Sequence, residues 1–426
     1  MRKEDILRMI EEEGVEFIRL QFTDIFGRLR NIAVTPGQMN KVFDNRYSFN
    51  GSALFANKYE YDERLYLYPD LDTFSILPWR PQQGKVAKIF CDVCSMDGKP
   101  VEVSSRYILK KATAKAAESG YSMIVDPECE FFLFHTDENG LPTTTSHEMA
   151  DYMDVGPADF GENARRDIVL MLEDMGFEIE SSLHEHAPAQ HEIDFKEDEA
   201  FITADSIQTF KFAVRSIAKR FGLYATFMPK PRQDVAGSGM HTHLRLLKDG
   251  KNVFEKDGKA SDEAKWFVGG IMAHARALAA LANPTINSYK RILSGYDAPY
   301  RITWADKGEK ALVKINREID DVNVELRFPD GSSNPYLLFA ACLAAGLDGI
   351  NNKTAPGPEY GTEDENCACL PEDLKEAIEE LGKDKVIVDA LGKEFVDVYT
   401  KVKRLEWRDF ISSVTQWEID CYLTRI

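Results

Sequence analysis

Residues 127–134 read PECEFFLF. The second half of this stretch is an apolar, aromatic run and predicts a buried strand. Side chains alternate between the faces of a strand, so Glu128 and Glu130 point the same way, about 6–7 Å apart. Two carboxylates side by side at the end of a buried strand repel each other and resist desolvation. A positive charge has to sit between them, supplied either by the chain or by a metal.

Working outward, the same theme recurs. In HEIDF (191–195), Glu192 and Asp194 share a face while Ile193 and Phe195 take the other. His241 and His243 align in GMHTHLRL, and Glu325 and Arg327 align in NVELRF. Glu185 stands in the loop-like HEHAPAQ just before HEIDF. Taken singly, each reads as the solvated face of an amphipathic strand or as a structural salt bridge. Together they read differently, because each sits beside apolar strand residues rather than in a charged run. Glu128, Glu130, Glu185, Glu192, Glu325 and His241 are therefore expected to converge at the mouth of one sheet. Oxygen-rich sites with one imidazole suit hard divalent ions, Mg²⁺ or Mn²⁺. Two such ions neutralise crowded carboxylates, and two-metal sites clamp phosphoryl groups during in-line displacement. A phosphate donor is expected, yet no Walker A sequence is present. GSGMHT (237–242) opens a strand rather than a helix, so it is a weak nucleotide signal and reads better as a loop that lets backbone approach a ligand.

The totals bound the remaining possibilities. At 426 residues, with 44% hydrophobic and 29% charged residues, the chain is expected to be an ordinary globular protein of two domains. A net charge of -19 argues against nucleic acid or an anionic membrane as partner. The charged amphipathic start MRKEDILRMIEEEG has no signal-peptide core, and no apolar run spans a membrane, so cytoplasm is the simplest expectation. Seven scattered cysteines need no disulfide framework. Cys91 and Cys94 read as buried strand residues rather than half a zinc site.

Residues 1–103 read as a small, strand-rich unit, with FIRLQFTDIFGRLRNIAV turning at Phe26-Gly27 and further strands in LYLYPD and KVAKIFCDV. A helix opens near Ser104-Ser105, which marks the start of a larger unit, 104–426. There, GENARRDIVLMLEDMG and TADSIQTFKFAVRSIAKRFG are amphipathic helices, the second with a stripe of Ile207, Phe210, Val214, Ile217 and Phe221. From Pro371 onward a surface helix pair is expected.

The order and spacing of RLQFTDIFG, LYLYPDLDTF, PECEFFLF, GENARRDIV, HEIDF, QTFKF, ATFMPKP, GSGMH, NPTINSYKRI, ELRFPD and NPYL resemble the bacterial-type glutamine synthetase family over nearly the whole chain. The resemblance implies an α+β fold: an N-terminal β-grasp domain and an α/β catalytic domain with a curved antiparallel sheet. It also implies a homo-dodecamer of two stacked hexamers, with active sites between neighbouring subunits. The implied chemistry uses ATP to turn glutamate into γ-glutamyl phosphate, from which an amine displaces phosphate. Carried over by position, Glu130, Glu185 and Glu192 hold one metal, and Glu128, His241 and Glu325 the other. Gly237, Arg291 and Arg327 bind glutamate, His243 and Lys314 serve the nucleotide, and Tyr152 belongs to the amine pocket.

The chain also departs from the family pattern. Asn50 stands where the family has the aspartate that takes a proton from ammonium, Ala53 replaces a serine, and Asp297 replaces a flap glutamate. Glu309 stands where an arginine is expected on the phosphate side, with Lys314 and Asn323 for two further arginines and Ala236 for an asparagine. Asn50, Ala53 and Asp297 fall on the pocket that attracts and deprotonates ammonium, and an amide is no general base. Two readings follow: a ligase using ammonium or another small amine, or a catalytically impaired paralogue that binds metal and nucleotide and acts in regulation or assembly. A two-metal hydrolase rests on the carboxylates alone.

Overall fold

The computed structural model describes residues 1–80, 83–296, 298–318, 321–361 and 367–426. Two sheets organise the chain, as the α+β reading expects. The first is six-stranded and belongs to the N-terminal residues. Val15–Thr23 pairs antiparallel with Leu29–Val34 across the Phe26-Gly27 turn and parallel with Lys85–Cys94. Arg64–Pro69 and Ser48–Asn50 complete its far edge, and Ser75–Ile76 lies against Lys85–Cys94. Cys91 and Cys94 are buried in that last strand, so burial pushes both thiols up and they remain strand residues.

The second sheet has ten strands. Its main path runs Trp304–Ala305, Val313–Glu318, Asp321–Leu326, Thr242–Lys248, Tyr121–His135, Gln190–Phe195 and Ile179–His184. All of these pairings are antiparallel except the first. One face is apolar because its strands alternate. Cys129, Phe131, Ile193 and Phe195 are all buried there and meet the helix Ala200–Ala218, whose Phe210 lies 6.2 Å from the Phe131 ring and 5.7 Å from that of Phe195. The expected stripe of this helix is buried as far as Ile217, but Phe221 is exposed. The last turn, Lys219–Phe221, tightens to three residues per turn, which rotates Phe221 off the stripe.

Helices Asp262–Ala282 and Pro335–Asn352 form the interior of the larger unit. Both are apolar around much of their circumference, as fully enclosed helices are. Their backbones touch: a Cβ on Gly270 would lie 2.1 Å from the Ala345 carbonyl oxygen, and one on Gly349 2.1 Å from that of Trp266. Gly349→Ala is expected to cost about 1–3 kcal/mol by forcing the pair apart. Gly382→Ala, where a Cβ meets nothing within 4 Å in the helix Leu374–Lys383, should instead stabilise by about 0.5–1 kcal/mol. Chemical denaturation of the two variants gives opposite shifts if the packing argument holds.

The expected C-terminal helix pair is four helices: Leu374–Lys383, Lys385–Leu391, Lys393–Ile411 and Gln416–Tyr422. Asp384 both ends the first and caps the second, accepting from the Ile387 N–H at 3.2 Å. A buried arginine links the N-terminal unit to the helices of the larger one. Arg106, in the helix Ser105–Glu118 and 3% exposed, donates to Asp92 (2.6 Å) and Asp70 (2.7 Å) of the N-terminal unit and to Asp205 (2.8 Å) of Ala200–Ala218.

Candidate active site

Tyr121–His135 is the spine of the site. It pairs with Thr242–Lys248 through residues 121–127 and with Gln190–Phe195 through 128–132. The two glutamates therefore sit in mid-strand, where the partner changes, and not at a strand end. Pro127 has no N–H to give to a ladder; the next amide, Glu128 N–H, donates to the His241 carbonyl at 2.9 Å. The register then sets Glu128 opposite Asp194 and Glu130 opposite Glu192. Directly opposed side chains are about 5 Å apart at Cβ, and like charges there are destabilising. With Cys129 and Phe131 turned into the core, four carboxylates are left on the other face.

The counter-charges lie along the next two strands. His243 pairs with Glu325 in register. His241 Nδ1 and His243 Nε2 each lie 2.9 Å from an oxygen of Glu128. Burial works to raise the Glu128 carboxyl, but the hydrogen bonds from the two imidazoles outweigh it and hold it far below the ordinary range. His243, lowered by burial and raised more strongly by Glu128, is pushed up to about 9. Glu325 is treated likewise: His241, Arg327 and His243 overcome its burial and lower it. On the other side carboxyls predominate. Glu192 and Asp194 are driven upward by burial and then by the carboxylates crowded around them. Glu130 is held by the Gln190 amide at 2.7 Å.

Two adjoining cavities open over this face. The first, about 280 Å³, is lined by Glu128, Glu130, Glu185, Glu192, His241, Gly237, Arg291, Arg327 and Tyr152, so it gathers most of the residues that the sequence put forward. The packing beside it needs glycine: a Cβ on Gly239 would lie 2.5 Å from Arg291 Nη2 and 2.9 Å from Glu130 Oε1. Arg291 is buried and donates to the carbonyls of Phe328 (3.1 Å), Pro329 and Arg327 (both 3.3 Å). Tyr152 stacks on His186 with ring centres 4.5 Å apart. The second cavity, about 530 Å³, is lined by His243, Lys307, Lys314, Arg317 and Arg327 together with Asp306 and Glu325, among others, and is the one richer in basic side chains. Glu128, Glu309 and Arg327 line both.

One expected site residue does not join this group. Asn50 lies at the edge of the N-terminal sheet, where its side chain accepts from the Ser52 N–H at 2.9 Å, and it lines neither cavity. Asp297 lies outside the described residues. His243, placed by resemblance at the nucleotide, stands as close to Glu128 as His241 does. Its nitrogen lies within metal-ligand reach of Glu128 and Glu325.

Sequence reasoning passed over a supporting layer behind the carboxylates. Glu148, Asp159, His184 and His191 are buried together. Glu148 lies 2.9 Å from His184 Nε2 and accepts from the backbone N–H groups of Phe160 (2.9 Å) and Ala189. Arg165 reaches Asp159 at 2.6 Å and His191 Nδ1 at 2.9 Å. An arginine only donates, so His191 Nδ1 is an acceptor and its proton sits on Nε2. The guanidinium supplies the positive charge here. His184 and His191 immediately precede Glu185 and Glu192, so the network fixes the two backbone stretches that present those carboxylates. The adjacency of HE in HEHAPAQHEIDF was its one signal in the sequence.

The residues present fit divalent metal: hard oxygen donors with imidazole, and carboxyls on the Glu192 side raised by burial and by the carboxylates around them. A carboxylate cavity opening onto a cationic one is the layout of a metal-dependent phosphoryl-transfer enzyme. Residues 14–96 match the description "Glutamine synthetase, beta-Grasp domain" and residues 102–422 "Glutamine synthetase, catalytic domain". The glutamine synthetase of Clostridium saccharobutylicum is 48% identical, covering 99% of each chain. That of Methanosarcina mazei is 44% identical over 100% of this chain and 98% of its own. A solved structure titled "GmaS/ADP complex-Conformation 1" is 33% identical with a TM-score of 0.90, covering 98% of this chain and 99% of that one. The chain belongs to the glutamine synthetase family, and is an ATP-dependent ligase that forms a carbon–nitrogen bond. Membership brings with it ATP, a divalent metal, glutamate and ammonium. Among the described residues no helix is long and apolar enough to cross a membrane.

Proposed function

We propose that the two cavities divide the reaction between them: glutamate in the carboxylate-lined one, the phosphates of ATP in the cationic one. The observation that carries this reading is the row of Glu325, His243, Glu128, Glu130 and Glu192 across four neighbouring strands, with Arg327 between the cavities. Glu130, Glu185 and Glu192 would hold one Mg²⁺ or Mn²⁺ ion, and Glu128, Glu325 and His241 a second, with His243 as an alternative imidazole. Bound metal supplies charge neutralisation for the transferring phosphoryl group. Arg327 has a fork suited to a carboxylate or phosphate, and its buried Nε has no partner among the described residues. Gly237 and Arg291 shape the glutamate end, Tyr152 the amine end, and Lys314 the phosphate end. Glutamate is converted to γ-glutamyl phosphate, and an amine displaces phosphate.

Asn50, which lines neither cavity of its own chain, would serve a neighbouring subunit, in a homo-dodecamer of two stacked hexamers in the cytoplasm. We divide the chain at 103/104, where the helix Ser105–Glu118 opens the catalytic unit. With Asn50 and Ala53 in place of an acid and a serine, a primary amine fits the pocket as well as ammonium. One contact favours the alternative of an impaired paralogue: Glu309 pairs with both Arg327 and Lys314.

The test is phosphate release from ATP with glutamate and, in turn, ammonium, methylamine, ethanolamine and a polyamine. A rate with one amine identifies the substrate. Tight ATP binding with no rate for any amine selects the paralogue. Asn50→Asp combined with Glu309→Arg should raise the ammonium-dependent rate; no gain removes the assigned roles of both positions.

A further inference from the structure

The cations between the two cavities already have an occupant, supplied by the chain itself. Glu309 stands in the segment that joins Trp304–Ala305 to Val313–Glu318. Its Oε2 accepts from Arg327 Nη1 at 2.6 Å and its Oε1 from Lys314 Nζ at 2.6 Å. One carboxylate therefore bridges two cations with its two oxygens, as two oxygens of a phosphoryl group would. The partners differ in freedom. Arg327 and Lys314 are held in the wall, 10% and 17% exposed, whereas the Glu309 side chain is 61% exposed. An exposed side chain can leave a pair of fixed cations without disturbing the core.

We propose that Glu309 is an internal competitor for the subsite of the terminal phosphate, and so sets how tightly this chain binds a nucleoside triphosphate. The inference rests on the assignment of Lys314 to the phosphate end and of Arg327 to the wall between the two cavities. A triphosphate has to displace the Glu309 carboxylate before its last phosphate can reach both cations. A diphosphate, one group shorter, leaves the contact in place. The apparent affinity for triphosphate is lowered by the fraction of molecules in which the subsite is open. The Glu309 carboxylate is exposed although its two partners are not, so its hold on them weakens with salt.

The experiment is calorimetric titration of the full-length protein, with Mg²⁺ present, using ADP and the non-hydrolysable β,γ-imido analogue of ATP. Glu309→Gln keeps the shape and removes the charge. Glu309→Asp keeps the charge on a shorter arm. Glu309→Gln is expected to bind the triphosphate about tenfold more tightly, as for a subsite closed nine-tenths of the time, with ADP changed less than about twofold on the same argument. Glu309→Asp should fall between, and the gap to wild type should narrow in high salt. If wild type binds no triphosphate but Glu309→Gln does, the competitor is confirmed in its strongest form. If wild type turns over ATP while Glu309→Gln binds the triphosphate no more tightly, the competitor is overturned and the assignment of the cavities survives. If no protein binds either nucleotide, both fall.

Discussion

Arg327→Ala is expected to lower kcat/KM for glutamate-dependent phosphate release by about 10²–10³-fold, the usual loss for one well-placed electrostatic donor. The residue lies in the wall shared by the two cavities, with Glu325 and Glu309 each 2.6 Å from Nη1. Truncation also strips a counter-charge from buried Glu325, so the loss alone does not separate catalysis from folding. Arg327→Lys makes the separation. Lysine keeps the charge and therefore the fold, but offers a point charge in place of a planar fork. A rate near wild type for the lysine variant removes bidentate recognition from the account.

Glu130→Gln should do two opposite things. Directly across the ladder from Glu192, Glu130 is one of two carboxyls that cannot both ionise without cost in a buried setting. Neutralising one is expected to stabilise the metal-free protein by about 1 kcal/mol, and the new amide oxygen can still accept from Gln190. The same change removes a proposed metal ligand and should abolish metal-dependent turnover. pH dependence sharpens the test. Glu192 and Asp194 hold protons in the folded chain that the unfolded chain has already released, and His243, raised to about 9, does the same above neutrality. The folded state thus binds more protons, so stability falls as pH rises from about 5 to 9. Glu130→Gln should flatten that fall, and so should Mg²⁺ or Mn²⁺ added to wild type. Thermal melts of metal-free protein across this range decide it: a wild type that gains stability toward pH 9 contradicts the crowded-carboxylate account.

The fold and the site were legible to different depths, for physical reasons. Alternation is a local property, so PECEFFLF and HEIDF announced by themselves which side chains share a face. Register is not local. Nothing within either strand says that Glu130 faces Glu192, because that depends on where the two chains meet, and the position of the glutamates in mid-strand followed from a change of partner at Pro127. The helices Asp262–Ala282 and Pro335–Asn352 gave no stripe to read, since a helix enclosed on nearly all sides has none. Glu148 and Asp159 lie in a segment with little regular structure, where spacing carries no information about what the side chains meet. The whole-chain resemblance carried what period and spacing could not, including the β-grasp unit and the glutamate chemistry.

Arg106 has a consequence for motion. A hinge between the small sheet and the large one would have to pull two carboxylates, Asp70 and Asp92, from one buried guanidinium at the same time, while Asp205 stays with it. Bending of the whole molecule therefore costs a charged network at its joint, which favours rearrangement of the short connections around the rim as the way of admitting substrates. Liganded and empty forms should superpose as a single rigid frame.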